Sequence, residues 1–360
     1  MKSIHTSHGK LALPAFFPDA TRAVVRAVDS TDISQTKTPG VLVNTLHLLS
    51  EVGEPTIKAY GSVHKFMNWN GHSISDSGGF QVYSLAKAKG QKAAISNEGV
   101  TFTLEGKKFL LTPELSIAYQ FTLGTDIMVV LDDFTAPEDT PEMALKTVER
   151  TLHWAKRSKE EYKKQLRHYR QSVSPKLIAV VQGGAFPEAR LACIQGLLKI
   201  GFDGFGYGGW PISEDGTFDY KTAELIAKNT PSNYLLYGLG IGKPDDIVGC
   251  VKLGYTLFDC VLPTRDGRHG RLYVYNADSI EAIDVTQSGF YSYIALPKEK
   301  YRSTKEPVSN ACDCYTCTNF SLGYLNHLFK IKDTLAYRLA TIHNLRFYSI
   351  LMENCSSLST

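Results

Sequence analysis

Short runs of β-branched and aromatic residues recur along the first 265 residues, and stretches with the apolar spacing of amphipathic helices separate them. The runs at 127–131 and 177–181 are almost continuously apolar, which is typical of parallel strands covered on both faces. Eight runs are present, at 13–18, 41–44, 73–76, 127–132, 177–182, 204–208, 235–240 and 256–260. Eight strands that alternate with helices predict an α/β fold of the (β/α)8 TIM-barrel class. An open, doubly wound sheet is the alternative, because a count of strands does not reveal whether the sheet closes.

After residue 270 the alternation gives way to short strand-like pieces, a cysteine cluster and two helical stretches. We therefore predict a barrel over 1–270 and a C-terminal subdomain with closing helices over 271–360. Within the barrel, the stretch 99–112 has the pattern of an inserted β-hairpin, with its turn at Glu105 and Gly106.

The composition is that of an ordinary globular protein. Hydrophobic residues make up 43% of the 360 residues and charged residues 21%, which excludes the disordered, coiled-coil and collagen-like classes. No apolar stretch approaches the roughly 18 to 20 residues of a membrane span, and the first ten residues lack the apolar run of a signal peptide. We therefore expect a soluble, cytoplasmic protein without a membrane partner. The net charge of +3 permits a polyanionic partner but does not require one.

Polar residues and glycines follow directly where the predicted strands end. In a barrel these strand ends converge on one mouth, where catalytic residues collect. Carboxylates that share a cleft shift one another's pKa values, so that one stays ionised as a nucleophile while another holds a proton, the division of labour used at a sugar C1′. The strand-end residues are Asn44, Asp76, Asp132, Asp133, Gln182, Gly208, Gly209, the stretch 238–242 and Asp259.

The glycines allow a flat ligand to approach the backbone closely, and Phe80 or Tyr237 would supply an aromatic stacking face. Each residue taken singly has a simpler alternative, since an aspartate after a strand often caps a helix and paired glycines often form turns. Their repetition at successive strand ends favours the functional interpretation.

Three of the seven cysteines lie within six positions, at Cys312, Cys314 and Cys317. In a cytoplasmic protein of this size, such spacing favours a metal site over a disulfide framework. Three thiolates and one further ligand would complete a tetrahedral structural zinc site. His327 and His343 both follow within reach, and the spacing alone does not choose between them.

Several motifs combine to make the chain recognisable. They are Asp76-Ser-Gly-Gly-Phe-Gln81, Val181-Gln-Gly-Gly184, Gly240-Ile-Gly-Lys-Pro244, Phe258-Asp-Cys-Val-Leu-Pro-Thr-Arg265, Cys312-Asp-Cys-Tyr-Thr-Cys317 and His343-Asn344. Together they resemble those of the tRNA-guanine transglycosylases, or queuine tRNA-ribosyltransferases, and the similarity is collinear from about Gly9 to Phe347. The resemblance implies a (β/α)8 barrel with a zinc-binding subdomain. It also implies the exchange of guanine at the anticodon wobble position of tRNA for a 7-deazaguanine, as in queuosine biosynthesis.

The resemblance assigns roles to individual residues. Asp259 is similar to the nucleophile that attacks C1′ of the wobble nucleotide and forms a covalent ribosyl-enzyme, and Asp76 to the general acid/base. Asp132 matches the group that reads the N1–H and exocyclic amine of the purine. Gln182 and the backbone of Gly209 match the groups that read its carbonyl oxygen.

Other roles concern the walls of the pocket. Phe80 and Leu239 would sandwich the base, Tyr237 would contact the substrate, and Asn44 matches a polar residue near the nucleophile. Without a glycine-rich widening around Trp210 and Pro211, we expect the small aminomethyl-deazaguanine rather than queuine as the incoming base.

The resemblance also implies which residues bind the RNA and the metal. Arg265 and Arg268 fall where the family holds the anticodon loop, and we expect Lys330 and Arg346 to extend this basic surface. His343 rather than His327 becomes the fourth ligand of one structural zinc ion. A homodimer is implied as well.

Three places depart from the family pattern. The segment Asp132-Asp133-Phe134 and the pair Trp210-Pro211 differ from the usual residues, and both are expected to line the base pocket. Asp19 stands where an apolar residue is usual. Two other functions therefore stay open: an enzyme that inserts deazaguanine into DNA, and a non-catalytic tRNA-binding partner subunit. The arginine motif favours tRNA over DNA, and the presence of both Asp76 and Asp259 argues against a non-catalytic role.

Overall fold

The computed structural model describes residues 2–79, 94–104, 107–213 and 215–358. The strands in these ranges are β1 (Ser3–Thr6), β2 (Gly9–Ala12), β3 (Ala15–Pro18), β4 (Gly40–Asn44), β5 (His72–Asp76), β6 (Ala94–Ser96), β7 (Gly99–Leu104), β8 (Lys107–Leu111), β9 (Ile127–Val129), β10 (Lys176–Val181), β11 (Gly204–Tyr207), β12 (Leu235–Gly238), β13 (Leu257–Cys260), β14 (Arg271–Tyr275) and β15 (Tyr291–Ala295). The α-helices are α1 (Ser30–Gln35), α2 (Thr45–His47), α3 (Glu54–Tyr60), α4 (Val63–Met67), α5 (Pro113–Leu123), α6 (Pro141–Leu166), α7 (Pro187–Ile200), α8 (Tyr220–Lys228), α9 (Pro244–Lys252), α10 (Leu262–Arg268), α11 (Tyr315–Asn319), α12 (Leu322–Lys330) and α13 (Thr334–Cys355). A π-helical turn spans Leu48–Val52, and 3₁₀ turns span Ile280–Ala282 and Glu299–Tyr301.

Eight parallel strands form one barrel, and each of the eight predicted runs contains one of them. Their order around the barrel is β3, β4, β5, β9, β10, β11, β12 and β13. The sheet closes because β13 pairs with β3 on one side, while Asp19 forms a parallel bridge with Leu42 on the other. The Ala20 N–H donates to the Leu42 carbonyl at 2.7 Å and strengthens this seam. The (β/α)8 barrel is therefore confirmed, and the open sheet is excluded.

Apolar side chains fill the barrel interior, since successive residues of a strand alternate between its two faces. The β1–β2 hairpin adds Ile4 and Leu11 to this interior cluster. The hairpin lies at the amino-terminal ends of the strands, where Thr6 Oγ1 is 2.9 Å from Nδ1 of His72, the first residue of β5. One end of the barrel is thus plugged, and the polar strand ends lie at the other.

Local signals explain where the outer helices begin. Pro113, Pro141, Pro187 and Pro244 each stand in the first turn of a helix, where a residue without an N–H group sacrifices no helical hydrogen bond. The Thr140 side chain accepts the N–H of Met143 and caps the start of α6. These helices cover the outer face of the sheet, which explains why its strands are apolar on both faces.

Strands β6, β7 and β8 form a separate antiparallel sheet. Strands β7 and β8 pair within the stretch 99–112, for which the sequence predicts a hairpin. Its expected turn residues, Glu105 and Gly106, lie outside the described residues.

The C-terminal region packs on the barrel through α13. The Tyr348 hydroxyl donates to the Gly242 carbonyl at 2.6 Å, and Asn344 Nδ2 donates to the Pro263 carbonyl at 3.0 Å. Both bonds are buried, so α13 is fixed to α10 and to the β12–α9 loop at the barrel mouth. The division of the chain near residue 270 stays a prediction. None of the described helices combines the length and the apolar character that a membrane-spanning helix needs.

Candidate active site at the barrel mouth

Polar side chains from neighbouring strands face one another at the carboxyl end of the barrel. Each stands two residues beyond a core residue that points into the barrel. The pairs are Phe17 and Asp19, Leu42 and Asn44, Ile74 and Asp76, Val180 and Gln182, and Leu257 and Asp259. Because alternate residues of a strand share a face, these five polar side chains point into the same mouth.

Asp259 lies on β13, and two donors hold its Oδ1 atom. The Tyr237 hydroxyl donates to it at 2.6 Å and the Gly240 N–H at 3.0 Å. Burial raises the pKa of Asp259 to about 6, while these two donors oppose the rise and the charge of Asp19 adds to it. At neutral pH Asp259 is therefore mostly ionised, and its direction is fixed.

Asp76 ends β5 and is held more extensively. Asn44 Nδ2 donates to Oδ2 at 2.6 Å, and the N–H groups of Thr45 and Gly78 donate to Oδ1 at 3.1 and 3.2 Å. Burial raises the pKa of Asp76 to about 7, opposed by these donors and supported by the nearby charge of Asp259. Near neutral pH Asp76 is therefore a carboxyl group that can hold or release a proton.

The two carboxyl groups thus differ in protonation within one cleft. A nucleophile needs the ionised form, and a general acid needs the protonated form. The described mouth provides one of each, at Asp259 and Asp76.

Asp132 and Gln182 form a polar pair on the adjoining arc of the mouth. Gln182 Nε2 donates to Asp132 Oδ2 at 2.6 Å, and Gln182 Oε1 accepts the Thr135 N–H at 3.1 Å. The Thr135 N–H fixes the orientation of the amide, so its NH₂ group points toward Asp132. Burial raises the pKa of Asp132 to about 6, opposed by the Gln182 hydrogen bond. The pair can offer a donor and an acceptor to the edge of a flat ring.

The glycine pair after β11 allows the backbone to approach this arc. A Cβ atom on Gly208 would lie 2.8 Å from Gln182 Nε2, which is closer than real side chains tolerate. Gly209 has a φ of 84°, in the left-handed region that favours glycine. The backbone of Gly209 is therefore available next to Gln182, as the sequence predicts.

The sequence predicts that three further residues contact the base, and the structure describes two of them. Tyr237 has no exposed surface, and its ring lies in the barrel interior, so the predicted stacking role is wrong and the residue orients Asp259 instead. Leu239 is partly buried against the interior cluster at the mouth. Phe80 lies outside the described residues.

Asn44 and Asp133 also differ from expectation. Asn44 is fully buried, donates to Asp76 and accepts the His47 N–H at 2.9 Å, so it positions Asp76, and its predicted contact with the substrate stays a prediction. Asp133 is buried in an ion pair with Arg150, toward α6. The expectation that Asp133 lines the base pocket is therefore wrong, because alternation turns it away from Asp132.

Arg265 and Arg268 lie on α10, directly after the Asp259 strand. The Arg265 side chain is exposed, whereas Arg268 Nη1 is buried and has no hydrogen-bond partner among the described residues. Burial lowers the pKa of Arg268, the neighbouring Arg26 and Arg265 lower it further, and Asp19 opposes them. Three arginines therefore cluster beside the mouth.

The predicted extension of this basic surface is wrong for Arg346, and for Lys330, which is exposed, it stays a prediction. Arg346 is 2% exposed and paired with Asp313 and Glu353, at 2.5 and 2.7 Å. Lys330 is paired with Glu299. The sequence shows the charge of these residues but not the carboxylates that neutralise them.

A second polar cluster lies in the C-terminal region. Cys312, Cys314, Cys317 and His343 are buried, and their ligand atoms all lie within 4.8 Å of one another. His343 Nδ1 is 3.2 Å from Cys317 Sγ, and its Nε2 donates to the Tyr273 carbonyl at 2.7 Å, which directs Nδ1 toward the sulfurs. His327 is exposed on α12 and outside the cluster. The four residues could hold a metal ion.

Sequence reasoning missed the roles of Asp19 and Arg190. Asp19 follows Phe17 by two residues, so the alternation already predicts that it faces the mouth. Arg190 is buried on α7 and donates to the carbonyls of Gly184 and Gly208 at 2.8 Å each, which ties together the loops after β10 and β11. Its only sequence signal is an arginine on the apolar face of a helix.

Comparison with known proteins adds a family. A family model described as Queuine tRNA-ribosyltransferase matches residues 1–356. A queuine tRNA-ribosyltransferase of Psychrobacter cryohalolentis is 37% identical over 355 residues, which cover 98% of this chain and 87% of that protein. Proteins of the same name from Actinobacillus pleuropneumoniae serotype 5b and Acinetobacter baylyi are 37% and 36% identical, over 94% and 96% of this chain and 83% and 84% of theirs.

Proposed function

The chain belongs to the queuine tRNA-ribosyltransferase family, and we propose from that premise that Asp259 and Asp76 exchange the wobble guanine of tRNA for a 7-deazaguanine through a covalent ribosyl-enzyme. The enzyme is a pentosyltransferase of the queuosine pathway. The observation that carries the assignment of residues is the pair of buried carboxyl groups at one barrel mouth, one ionised and one able to hold a proton at neutral pH.

In the first half of the reaction, a carboxylate oxygen of Asp259 attacks C1′ of the wobble ribose. The bond between C1′ and N9 of guanine breaks, and its electron pair leaves with the base. Protonated Asp76 gives its proton to the departing guanine and becomes a carboxylate. The Tyr237 and Gly240 donors hold Asp259 Oδ1 and so fix the direction of the attack.

The second half reverses these steps with a different base. Asp76 takes the proton from the ring nitrogen of the incoming 7-deazaguanine, that nitrogen forms a bond to C1′, and the bond between Asp259 and C1′ breaks. Base exchange without hydrolysis requires that water stay away from the ribosyl-enzyme. A closely fitting pocket of buried groups serves this purpose.

The purine is read on the arc formed by β9, β10 and β11. Asp132 accepts hydrogen bonds from the N1–H and exocyclic amine, while Gln182 Nε2 and the Gly209 N–H donate to the carbonyl oxygen. The fixed amide of Gln182 supports this assignment, because Thr135 leaves only the NH₂ group for the pocket. Leu239 and Phe80 are proposed to cover the faces of the ring.

The incoming base is proposed to be aminomethyl-deazaguanine rather than queuine. Trp210 is 55% exposed on the loop after Gly209, and Pro211 stiffens this loop. A bulky side chain at this rim leaves less room for a cyclopentene substituent than for an aminomethyl group.

We propose that Cys312, Cys314, Cys317 and His343 hold one structural zinc ion. Three thiolates and an imidazole are ligands that zinc prefers, and four protein ligands leave no open position for a substrate. The ion would cross-link the cysteine segment to α13 and so stabilise the C-terminal region. Homodimer formation and a cytoplasmic location stay proposals that rest on the family alone.

One experiment distinguishes the proposed function from two alternatives, a DNA-modifying enzyme and a non-catalytic subunit. Purified protein is incubated with radiolabelled guanine and either tRNA or DNA, and incorporation is counted in each. We expect incorporation into tRNA alone. Incorporation into DNA would favour the first rival, and none into either would favour the second.

The covalent step has its own test. Asp259→Asn should fold normally and form no ribosyl-enzyme with tRNA on a denaturing gel, because a neutral amide is a poor nucleophile. Asp133→Asn is the control, since this buried carboxylate points away from the mouth. A shifted protein band that persists in Asp259→Asn would rule out Asp259 as the nucleophile.

A further inference from the structure

We propose that Asp19 accepts a hydrogen bond from the 2′-hydroxyl of the target ribonucleotide and thereby makes the enzyme prefer RNA to DNA. The inference rests on the proposed base exchange, and it assigns a function to a carboxylate that this reaction does not otherwise use.

The strand registers place Asp19 beside the nucleophile. Phe17 of β3 pairs with Asp259 of β13, and alternate residues share a face, so Asp19 is the next inward-facing position toward the mouth. On its other side Asp19 bridges Leu42, two residues before Asn44. Asp19 therefore lies between the nucleophile and the residue that positions Asp76.

One oxygen of the Asp19 carboxylate is available. Oδ1 accepts the N–H of Thr21 at 3.2 Å and also the Thr21 hydroxyl. Oδ2 has no hydrogen-bond partner among the described residues, and the side chain is partly exposed. The negative charge of Asp19 raises the pKa of Asp259 and opposes the lowering of the Arg268 pKa.

The position corresponds to the sugar and not to the base or the phosphates. The purine-reading residues stand on β9, β10 and β11, across the barrel from β3. The nucleophile must touch C1′, so its neighbour toward the mouth meets the ribose ring. A carboxylate repels phosphate, which the arginines of α10 are suited to hold.

Chemistry then identifies the hydroxyl. Within a polynucleotide the 3′ and 5′ oxygens are esterified, so the 2′-hydroxyl is the sole ribose donor, and it is the group that distinguishes RNA from DNA. Its hydrogen bond to a carboxylate strengthens as positive charge develops at C1′ in the transition state. We therefore expect the contact to affect the rate of exchange more than the binding of the RNA.

The experiment uses two synthetic anticodon stem-loops that differ only at the wobble nucleotide, guanosine or 2′-deoxyguanosine. Labelled guanine exchange is measured as kcat/KM for the wild-type protein and for Asp19→Asn and Asp19→Val. Asp284→Asn is the matched control, because Asp284 makes the same two bonds to Thr286, to its N–H at 2.9 Å and its hydroxyl at 2.6 Å, on the exposed surface.

The wild type should prefer the ribose loop, and Asp19→Val should reduce that preference by about 10- to 100-fold, the range expected for a hydrogen bond to a charged group. Asp19→Asn keeps an acceptor oxygen and should fall in between, while Asp284→Asn should leave the ratio unchanged. A folding defect would lower both rates together without changing their ratio.

A ratio in Asp19→Val within about threefold of the wild-type ratio, well below the expected change, would overturn the inference while the base exchange itself stands. A wild-type protein that exchanges guanine on neither loop would overturn the proposed function, and this inference with it.

Discussion

Single hydrogen bonds set the chemical state of the residues at the mouth. The Tyr237 hydroxyl donates to Asp259, and Asn44 donates to Asp76, although neither donor has exposed surface. Such bonds favour the ionised carboxylate and oppose the effect of burial. The pKa of Asp76 is nevertheless the higher of the two, because burial and the charge of Asp259 outweigh its donors.

Removal of one of these bonds should change the pH dependence of the reaction. Tyr237→Phe deletes the donor to Asp259, so the pKa of Asp259 should rise above about 6. The acidic limb of kcat/KM should move to higher pH by about one unit. Activity should fall more at pH 6 than at pH 8. Tyr255→Phe is the control, because this buried hydroxyl donates to the Ala223 carbonyl away from the site. An unmoved limb in Tyr237→Phe would contradict the positioning role.

At the scale of elements, the two ends of the barrel strands have different roles. The carboxyl ends carry the site, and the amino-terminal ends hold the plugging hairpin. There His8 Nδ1 lies 2.8 Å from Asp126 Oδ1, and the ring of His8 stacks on that of His64 at 3.8 Å between centroids. His64 is 4% exposed, and burial lowers its pKa to about 4.

This hairpin cluster should make folding stability depend on pH. A histidine in the unfolded chain has a pKa near 6.5. Between about pH 6.5 and pH 4 the unfolded chain therefore binds a proton that His64 does not bind in the folded protein. The free energy of unfolding should therefore fall as pH drops through this window, by up to about 3 kcal/mol from His64. His72, whose pKa burial also lowers, acts in the same direction. The lowered pKa of Asp126 matters only at more acidic pH.

Urea unfolding at pH 7 and pH 5 measures this effect. His64→Gln should lose part of the difference between the two pH values, whereas His327→Gln, at an exposed histidine, should keep it. An identical difference in wild type and His64→Gln would show that His64 does not titrate in this way.

At the scale of the whole molecule, α13 joins the cluster of three cysteines and a histidine to the barrel. The helix carries His343 of the cluster, Asn344 bonded to the Pro263 carbonyl, and Tyr348 bonded to the Gly242 carbonyl. Helix α10 and the β12–α9 loop, which border the mouth, are thus fixed by the same helix that completes the cluster.

Loss of the metal should therefore weaken the whole protein. His343→Ala should reduce the zinc bound per chain and lower the unfolding temperature by several degrees or more, because metal binding contributes directly to folding free energy. Elemental analysis and thermal unfolding measure both. His327→Ala should keep the metal. If His343→Ala kept full zinc while His327→Ala lost it, the assignment of His343 as the fourth ligand would be wrong.

The arginine cluster should make tRNA binding depend on salt. Arg26, Arg265 and Arg268 lie together beside the mouth, and each phosphate contact releases counterions. Affinity should fall as salt rises, and Arg268→Ala should reduce the slope of log Kd against log salt by about 1. Arg167→Ala is the control, since Arg167 is exposed at the end of α6, at the opposite face of the barrel. Equal affinity at low and high salt would contradict this role.

The sequence by itself determined the eight strands and the helices between them, because the alternation of apolar strands and helices is local and repeats eight times, but it left open whether the sheet closes. It also placed Asn44, Asp76, Gln182 and Asp259 at strand ends, since a period of two and a strand boundary are visible in the chain. The cysteine spacing indicated a metal site for the same reason: its ligands lie close together along the sequence.

Only the tertiary structure decided what depends on residues distant in the chain. It selected His343 over His327 by bringing α13 beside the cysteines, and it neutralised Arg346 with Asp313 and Glu353. It buried Tyr237 under Asp259 and set Asp19 between the nucleophile and Asn44. Closure of the barrel brings β3 against β13 although some 240 residues separate them along the chain, and no local pattern encodes that contact because it arises from strand pairing around the whole barrel.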